Sequence, residues 1–394
     1  MGSFRGRLAG IVLFAAAVRL LAAYHYRDYP VVGDALTYHL EADFLAHGDG
    51  FRRVAENVPT AEHPPLHIVV LAFFDLLGAH STAAQKAAMG LVGSVTVGLI
   101  GLLGRAVRNE PTGLIAAALA AVYPMLWLPD AALMSETTSM LLVTAALLVT
   151  YRPPSLRRTA GLGALIGLAA LARGELLALL VLLVTDRRRA LIGVAACAVV
   201  LAPWTIRNAV TFRAPVLISD NASGVFVGAN CGPTYYGELV GSWVFNCYGK
   251  APRGDESQQM AVYRRRGLSY ARHHASRLPL VMAARVGRVL DVYRPWNQGA
   301  FLGGLEGRAP NATRLGLVIY WLLVPLGIAG AVMLGRRAMP LLVPVVLVVV
   351  VAALVYGNTR FRSSAEPSLV VCAAVAVSAL VERRAGRRAA ARTG

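Results

Sequence analysis

An all-α polytopic membrane protein with about ten membrane helices, two of them short, is the fold that the sequence predicts, and three observations carry it. First, hydrophobic residues make up 56% of the 394 residues and charged residues only 15%, with a mean hydropathy of +0.56. Second, apolar runs such as 112-TGLIAAALAAVYPMLWL-128 and 338-AMPLLVPVVLVVVVAALVY-356 recur along the chain, and about 20 apolar residues span a bilayer core. Third, basic clusters separate these runs: Arg105 and Arg108; Arg152, Arg157 and Arg158; Arg187 to Arg189; Arg336 and Arg337; and Arg383 to Arg392. Positive residues accumulate in short cytoplasmic loops, so this pattern accounts for the net charge of +18 as a topology signal rather than a nucleic-acid surface.

Taken in order, the run 8-LAGIVLFAAAVRLLAAY-24 has basic flanks at Arg5 and Arg7 but no small-residue cleavage pattern after it, and is read as the first membrane helix. With the basic clusters on the cytoplasmic side, residues 8–24 cross outward, 82–104 inward, 112–128 outward and 133–150 inward. The run 160-AGLGALIGLAALARGELLALLVLLV-184 has basic residues at both ends, so it is expected to fold as two short helices with Arg173, Gly174 and Glu175 at the turn. Further crossings follow at 189–206, 315–334, 338–356 and 366–382, with both termini cytoplasmic. The segment 65-PLHIVVLAFFDLL-77 is too short to cross and is expected to dip into the outer leaflet. This divides the chain into an N-terminal transmembrane half, 1–206, with a first outer loop at 25–81; a large outer loop, 207–314; and C-terminal helices with a basic tail, 315–394.

The same parity gathers the unusual polar residues on the outer face: the loop 25–81, the turns at Asp130 and at Arg173 and Glu175, the loop 207–314, and 357-GNTRFRSSAEP-367. Polar groups held against membrane helix ends are commonly functional. In 34-DALTYHLEADFLAH-47, Leu36, Leu40 and Phe44 recur at spacing four, which predicts a short amphipathic helix on the membrane surface. Asp34 stands at its start, with Tyr38 one turn later. An aspartate there can cap the helix or act as a catalytic carboxylate, and the residues themselves leave both open.

These residues resemble a known family. Gly33-Asp34 followed by Tyr38 after the first membrane helix, 62-EHPPLH-67, 203-PWTIRNAVTF-212 and 356-YGNTRFRSSAEP-367 are similar, in order and placement, to elements of the GT-C fold glycosyltransferases. The branch they resemble contains the protein O-mannosyltransferases and the lipid A aminoarabinose transferase. The resemblance implies a GT-C-like bundle with outer-face loops and amphipathic surface helices, and an inverting transfer of a sugar from a polyprenyl-phosphate donor to a hydroxyl of an envelope glycan, lipid or protein at the outer face. It implies Asp34 as the catalytic carboxylate. The chain departs from the mannosyltransferases in having Ala35 rather than a second acidic residue after Asp34, and apolar residues in place of a lysine after Pro-Pro-Leu.

The implied chemistry assigns further roles. A base must take the acceptor hydroxyl proton, and charge growing on the leaving phosphate needs fixed cations, for which arginine's planar fork is suited. Arg360 and Arg362 are the first candidates for the donor phosphate, with Arg207 and Arg173 next. Tyr38, Glu62, His63 and Glu175 are the candidates for acceptor and sugar contact. Pro64 and Pro65 keep His63 and His67 from sharing a helix face as metal-binding histidines do, so no cofactor is expected, with a divalent metal left open. Cys231 and Cys247 lie together in the large outer loop, where oxidation is possible, and are expected to form a disulfide. The stretch 263–290 is read as amphipathic and riding the outer membrane surface. The partners expected are the lipid-linked donor and membrane lipid. The rival class is a lipid or sugar-lipid transporter or flippase, for which internal repeats and ionisable residues near the bilayer midplane would be the signature.

Overall fold

The computed structural model describes residues 3–184, 186–296 and 306–393. Helix dominates, and the one sheet among the described residues is a hairpin of Arg52–Arg53 with Val58–Pro59. The first helix, α1 (Phe4–His25), starts where the Ser3 hydroxyl accepts the Gly6 N–H at 3.2 Å, satisfying a donor the helix cannot. In the first loop, α2 (Asp34–Ala46) packs on α3 (Pro65–Leu76). The long α4 (Thr82–Val107) is capped by Ser81, and α5 (Glu110–Val122) by Asn109. A bend of 47° separates α5 from α6 (Pro124–Ala131); Pro124 has no N–H with which to continue the ladder.

The chain continues through α7 (Glu136–Thr150), α8 (Leu156–Ala172), a 3-10 helix over Gly174–Leu183, and α9 (Arg187–Thr211). The large loop holds α10 (Asn221–Ala229), α11 (Gly232–Tyr235), α12 (Glu256–His273) and α13 (Leu278–Val289). Then come α14 (Pro310–Leu334), α15 (Met339–Leu354), a 3-10 segment over Thr359–Ala365, and α16 (Glu366–Thr393).

The all-α polytopic membrane class stands, with fewer full-length spans than expected. Among the described residues five helical stretches are long and apolar enough to cross a bilayer, or six if the bent α5–α6 pair counts as one span. The shortfall from about ten has two causes. Helices α7 and α8 and the 3-10 helix have only 15, 17 and 10 residues. Residues Pro310–Leu354 form one helical stretch of 45 residues, which at ~1.5 Å per residue is about twice the bilayer core. That stretch breaks at Gly335, whose φ of +55° few other residues adopt, beside Arg336 and Arg337.

Close helix contacts rest on small residues, as they do where lipid removes the hydrophobic drive for helices to associate. A Cβ on Gly163 of α8 would stand 2.0 Å from the Gly193 carbonyl oxygen of α9, and one on Gly330 of α14 would stand 1.8 Å from that of Cys372 in α16. Asp130, expected in an outer turn, is instead buried in α6. It accepts from Arg19 of α1 at 3.1 Å and from the Thr137 hydroxyl at 2.6 Å.

Of the two stretches read as surface helices, 34–47 is helical as expected and 263–290 is not one continuous helix. In α2 the face turned inward is Ala35, Tyr38, Glu41 and Ala42, while Leu36 is exposed. Of the stripe Leu36, Leu40 and Phe44, Leu36 is exposed and the other two are half-buried, while the inward face is claimed by α3 and the site. The stretch 263–290 is split into α12 and α13 by a 3-10 turn at Ala275–Arg277, and only α13 packs extensively on a membrane helix, α15.

Candidate functional site

The site forms where α2, the loop before α3, the start of α7, the turn after α8 and the 3-10 segment Thr359–Ala365 meet. Its cavity, of about 440 Å³, is lined on the polar side by Asp34, Tyr38, His63, Arg173, Glu175 and Arg360. Leu177, Leu217, Val225, Val351 and Val355 supply an apolar wall.

Asp34 opens α2 but does not cap it. Gly33, at φ +59°, occupies the cap position, and no side chain bonds a backbone donor there. The Asp34 carboxylate instead faces the cavity. Its Oδ2 accepts from Arg360 Nη1 at 2.7 Å, and its Oδ1 lies 3.6 Å from His63 Nε2. Burial alone would raise the Asp34 pKa, but the Arg360 guanidinium and His63 hold the carboxyl well below its usual range. Burial would likewise lower that of His63, yet Asp34 outweighs it and lifts the imidazole to about 9. Among the described residues, neither His63 ring nitrogen has a hydrogen-bond partner.

Arg360 is the hub. It reaches Glu136 with Nε at 2.7 Å as well as Asp34 with Nη1, and Glu306 stands 3.6 Å from Nη1. Asn358 accepts the Arg360 N–H at 2.9 Å and donates to Glu306 at 2.9 Å, which fixes the turn. Arg173 joins the network from the other side, donating to Glu136 at 2.9 Å and to Glu175 at 2.7 Å. Arg308 lies 3.3 Å from Glu306. An arginine shared among several carboxylates is a fixed, preorganised cation, and Arg360 presents it to the cavity.

The structure separates the other candidates from this group. Arg362 is buried against Asp291 and Glu366 and lies 3.4 Å above the Tyr320 ring. It lines a second, apolar cavity of about 360 Å³ between α14, α15 and α16. Arg207 donates to the Thr60 carbonyl at 2.8 Å and to that of Phe51 at 3.2 Å, so it braces the first loop. Glu62 lies 3.8 Å from Arg53 and does not line the cavity.

His67 is satisfied by Thr138 at 2.9 Å and the Leu133 carbonyl at 3.2 Å, and burial depresses its pKa to about 4. Among the described residues no group of three or more His, Cys, Asp or Glu side chains is arranged to hold a metal ion. Cys231 and Cys247 are joined by a disulfide across a sequence separation of 16.

Several residues central to the site escaped the sequence reading: Glu136, Glu306, Arg308, Ser135 and Tyr356. Glu136 carried a signal, an ionisable residue in the first turn of an apolar run. Tyr38 ties α2 to this run, its hydroxyl 3.4 Å from that of Ser135 and its ring edge-on to His63 and His67. The loop before α3 is clamped in turn by Glu256 of α12, which accepts from Arg53 at 2.8 Å, from the Thr60 hydroxyl at 2.7 Å and from the Ala61 N–H at 2.6 Å. Asp220, buried beside Glu256, is raised well above the usual carboxyl range by burial and by that neighbour.

This bundle of apolar helices around a carboxylate–arginine cavity shares its fold, of the GT-C type, with solved oligosaccharyltransferases. No family model matches the chain, and no curated protein matches it by sequence. Among solved structures, it is similar to the archaeal oligosaccharyltransferase AglB from Archaeoglobus fulgidus in complex with an inhibitory peptide and a dolichol-phosphate: TM-score 0.57, 14% identity, covering 99% of this chain and 52% of that one. The apo form of the Archaeoglobus fulgidus oligosaccharyltransferase gives 0.56 at 13% identity, with 99% and 52% covered. ArnT from Cupriavidus metallidurans bound to undecaprenyl phosphate gives 0.43 at 15% identity, with 94% and 78% covered. The chain spans about half the length of the oligosaccharyltransferases it matches.

Proposed function

We propose that the protein is an inverting glycosyltransferase that moves a sugar from a polyprenyl-phosphate donor to an acceptor hydroxyl, with its site on the extracytoplasmic face. The observation that carries this reading is the contact of Asp34 with Arg360 inside a cavity that is polar on one side and apolar on the other. A lipid-linked phosphate offers the same two characters, and AglB was solved with a dolichol-phosphate.

In this reading the donor phosphate competes for the Arg360 fork and takes it from Asp34, with Arg173 the second cation at the cavity wall. The released carboxylate accepts the proton of the acceptor hydroxyl. The bond from the anomeric carbon to the new oxygen forms on the face opposite the breaking carbon–phosphate oxygen bond. The electron pair of the breaking bond leaves on the phosphate, where Arg360 stabilises it. The products are the glycosylated acceptor and polyprenyl phosphate, and the proton rests on Asp34. With Arg360 engaged by phosphate, Asp34 is a stronger base than in the empty site, so donor binding precedes proton transfer.

Native mass spectrometry of the protein purified in mild detergent tests the reading. A co-purifying polyprenyl phosphate or its glycoside, lost in Arg360→Ala, is the expected result. Failure of the wild type to bind added undecaprenyl phosphate would overturn it.

A further inference from the structure

The large loop is strongly basic where translocated segments have no topological need to be: residues 207–314 hold fourteen Arg and Lys against six Asp and Glu. Much of this charge is used internally. Arg285 and Arg288 are buried with backbone carbonyl partners, and Arg308 lies against Glu306. Helix α12 is different. Arg264, Arg265, Arg266, Arg272 and His273 are exposed on it, and none of the four guanidiniums has a carboxylate partner among the described residues. The acidic residues at its N-terminus are spent: Asp255 caps the helix and Glu256 holds the Thr60–Ala61 segment.

The opposite face of α12 is committed to α10. Met260, Tyr263 and Gly267 are buried, and a Cβ on Gly267 would stand 2.2 Å from the Phe226 carbonyl oxygen. Phe226 and Val225 of that same α10 line the Asp34 cavity. The cationic face therefore lies one helix away from the site, on the far side of its wall. A helix that inserts into a membrane surface keeps an apolar face free for lipid. On α12 no large hydrophobic residue is exposed, so this face offers charge alone and is not built to insert into a bilayer.

We infer that the exposed face of α12 is a docking surface for a polyanionic polymer, a chain with repeated phosphate or carboxylate groups, that brings acceptor hydroxyls to the cavity. Arg265 and Arg272 are seven residues apart, about 10 Å along the helix on nearly the same side. Arginine forks favour phosphate and carboxylate groups at such spacings over neutral hydroxyls. The acceptor role rests on the transferase reading; the anion docking does not.

The test uses full-length protein in uncharged detergent, with fluorescently labelled poly(glycerol phosphate) as the probe and labelled dextran as the neutral control. Anisotropy titrations should show binding of the anionic polymer alone, weakened by raising salt because exposed charges are screened. The Arg264→Gln/Arg265→Gln/Arg266→Gln variant should bind it about tenfold more weakly. Its thermal unfolding and its binding of undecaprenyl phosphate should equal wild type, which reports separately on the donor site. Equal polymer binding by variant and wild type would overturn the inference. So would a variant that binds polymer normally but loses co-purified phosphatidylglycerol in native mass spectra, since the face would then serve lipid headgroups.

Discussion

Replacing Asp34 with asparagine separates chemistry from architecture at the centre of the site. Asparagine preserves the shape and can still accept from Arg360, but it cannot take the acceptor proton. The helix start should be indifferent, because Gly33 rather than the Asp34 side chain occupies the cap. Arg360 keeps Glu136 at 2.7 Å and Glu306 at 3.6 Å, so it does not become an uncompensated buried cation. The Asp34 side chain is 34% exposed to the cavity, and the stability loss should therefore stay near the ~1 kcal/mol of a screened pair. Loss of a positioned base costs about 10²- to 10⁴-fold in rate. The assay follows release of polyprenyl phosphate from a radiolabelled polyprenyl-phosphate sugar in membranes, alongside thermal unfolding of the same variant. Turnover within a few-fold of wild type would refute the base assignment, whereas a lipid transporter would release no polyprenyl phosphate in either form.

Two further outcomes follow from the same geometry. Arg360→Lys should weaken donor binding and lower turnover by about ten- to a hundredfold, because an ammonium cannot reach Glu136 and the phosphate with separate, rigidly spaced donors. If donor affinity and turnover both equal wild type, Arg173 is the next residue to test. Glu41 is 1% exposed, and burial raises its carboxyl to about 7. Between its unfolded value near 4.5 and that pH, the native state holds a proton that the unfolded chain has lost, so stability falls as pH rises through this window. The total is about 3 kcal/mol. Glu41→Gln should remove the slope, matching wild type at pH 5 and exceeding it at pH 8 in thermal unfolding, and an unchanged slope would count against this assignment.

The helices were legible because their apolar runs and basic punctuation are local signals. Asp34 was singled out by the family resemblance, the residues alone leaving cap and catalyst open, and Arg360 by its place at the end of an apolar run. What escaped was partnership. Glu136 lay within a run read as a membrane span, and its bond to Arg360 joins residues 224 apart, a pairing that no spacing rule encodes. The sequence reading assigned both Arg360 and Arg362 to the phosphate, with Arg360 the more important, and of the two Arg360 lines the cavity. The 3-10 turn that carries them has three residues per turn, which rotates residues two apart by about 240°. One guanidinium therefore faces Asp34 and the other Tyr320. The number of full spans was overestimated because charge parity counts crossings, and short helices satisfy parity without the length of a span.

The contact between Asp34 and Arg360 also orders events during synthesis, since it joins residues 326 apart in the chain. The ribosome delivers Asp34 and Glu136 to the membrane long before their shared cation exists. A buried carboxylate without a partner is costly, so Glu136 must rely first on Arg173, its nearer partner in sequence. A nascent chain that ends before residue 360 can hold most of its bundle and its first loop while its site stays unassembled. Arrival of the last membrane helices, rather than folding of the first loop, then sets when the newborn protein becomes competent.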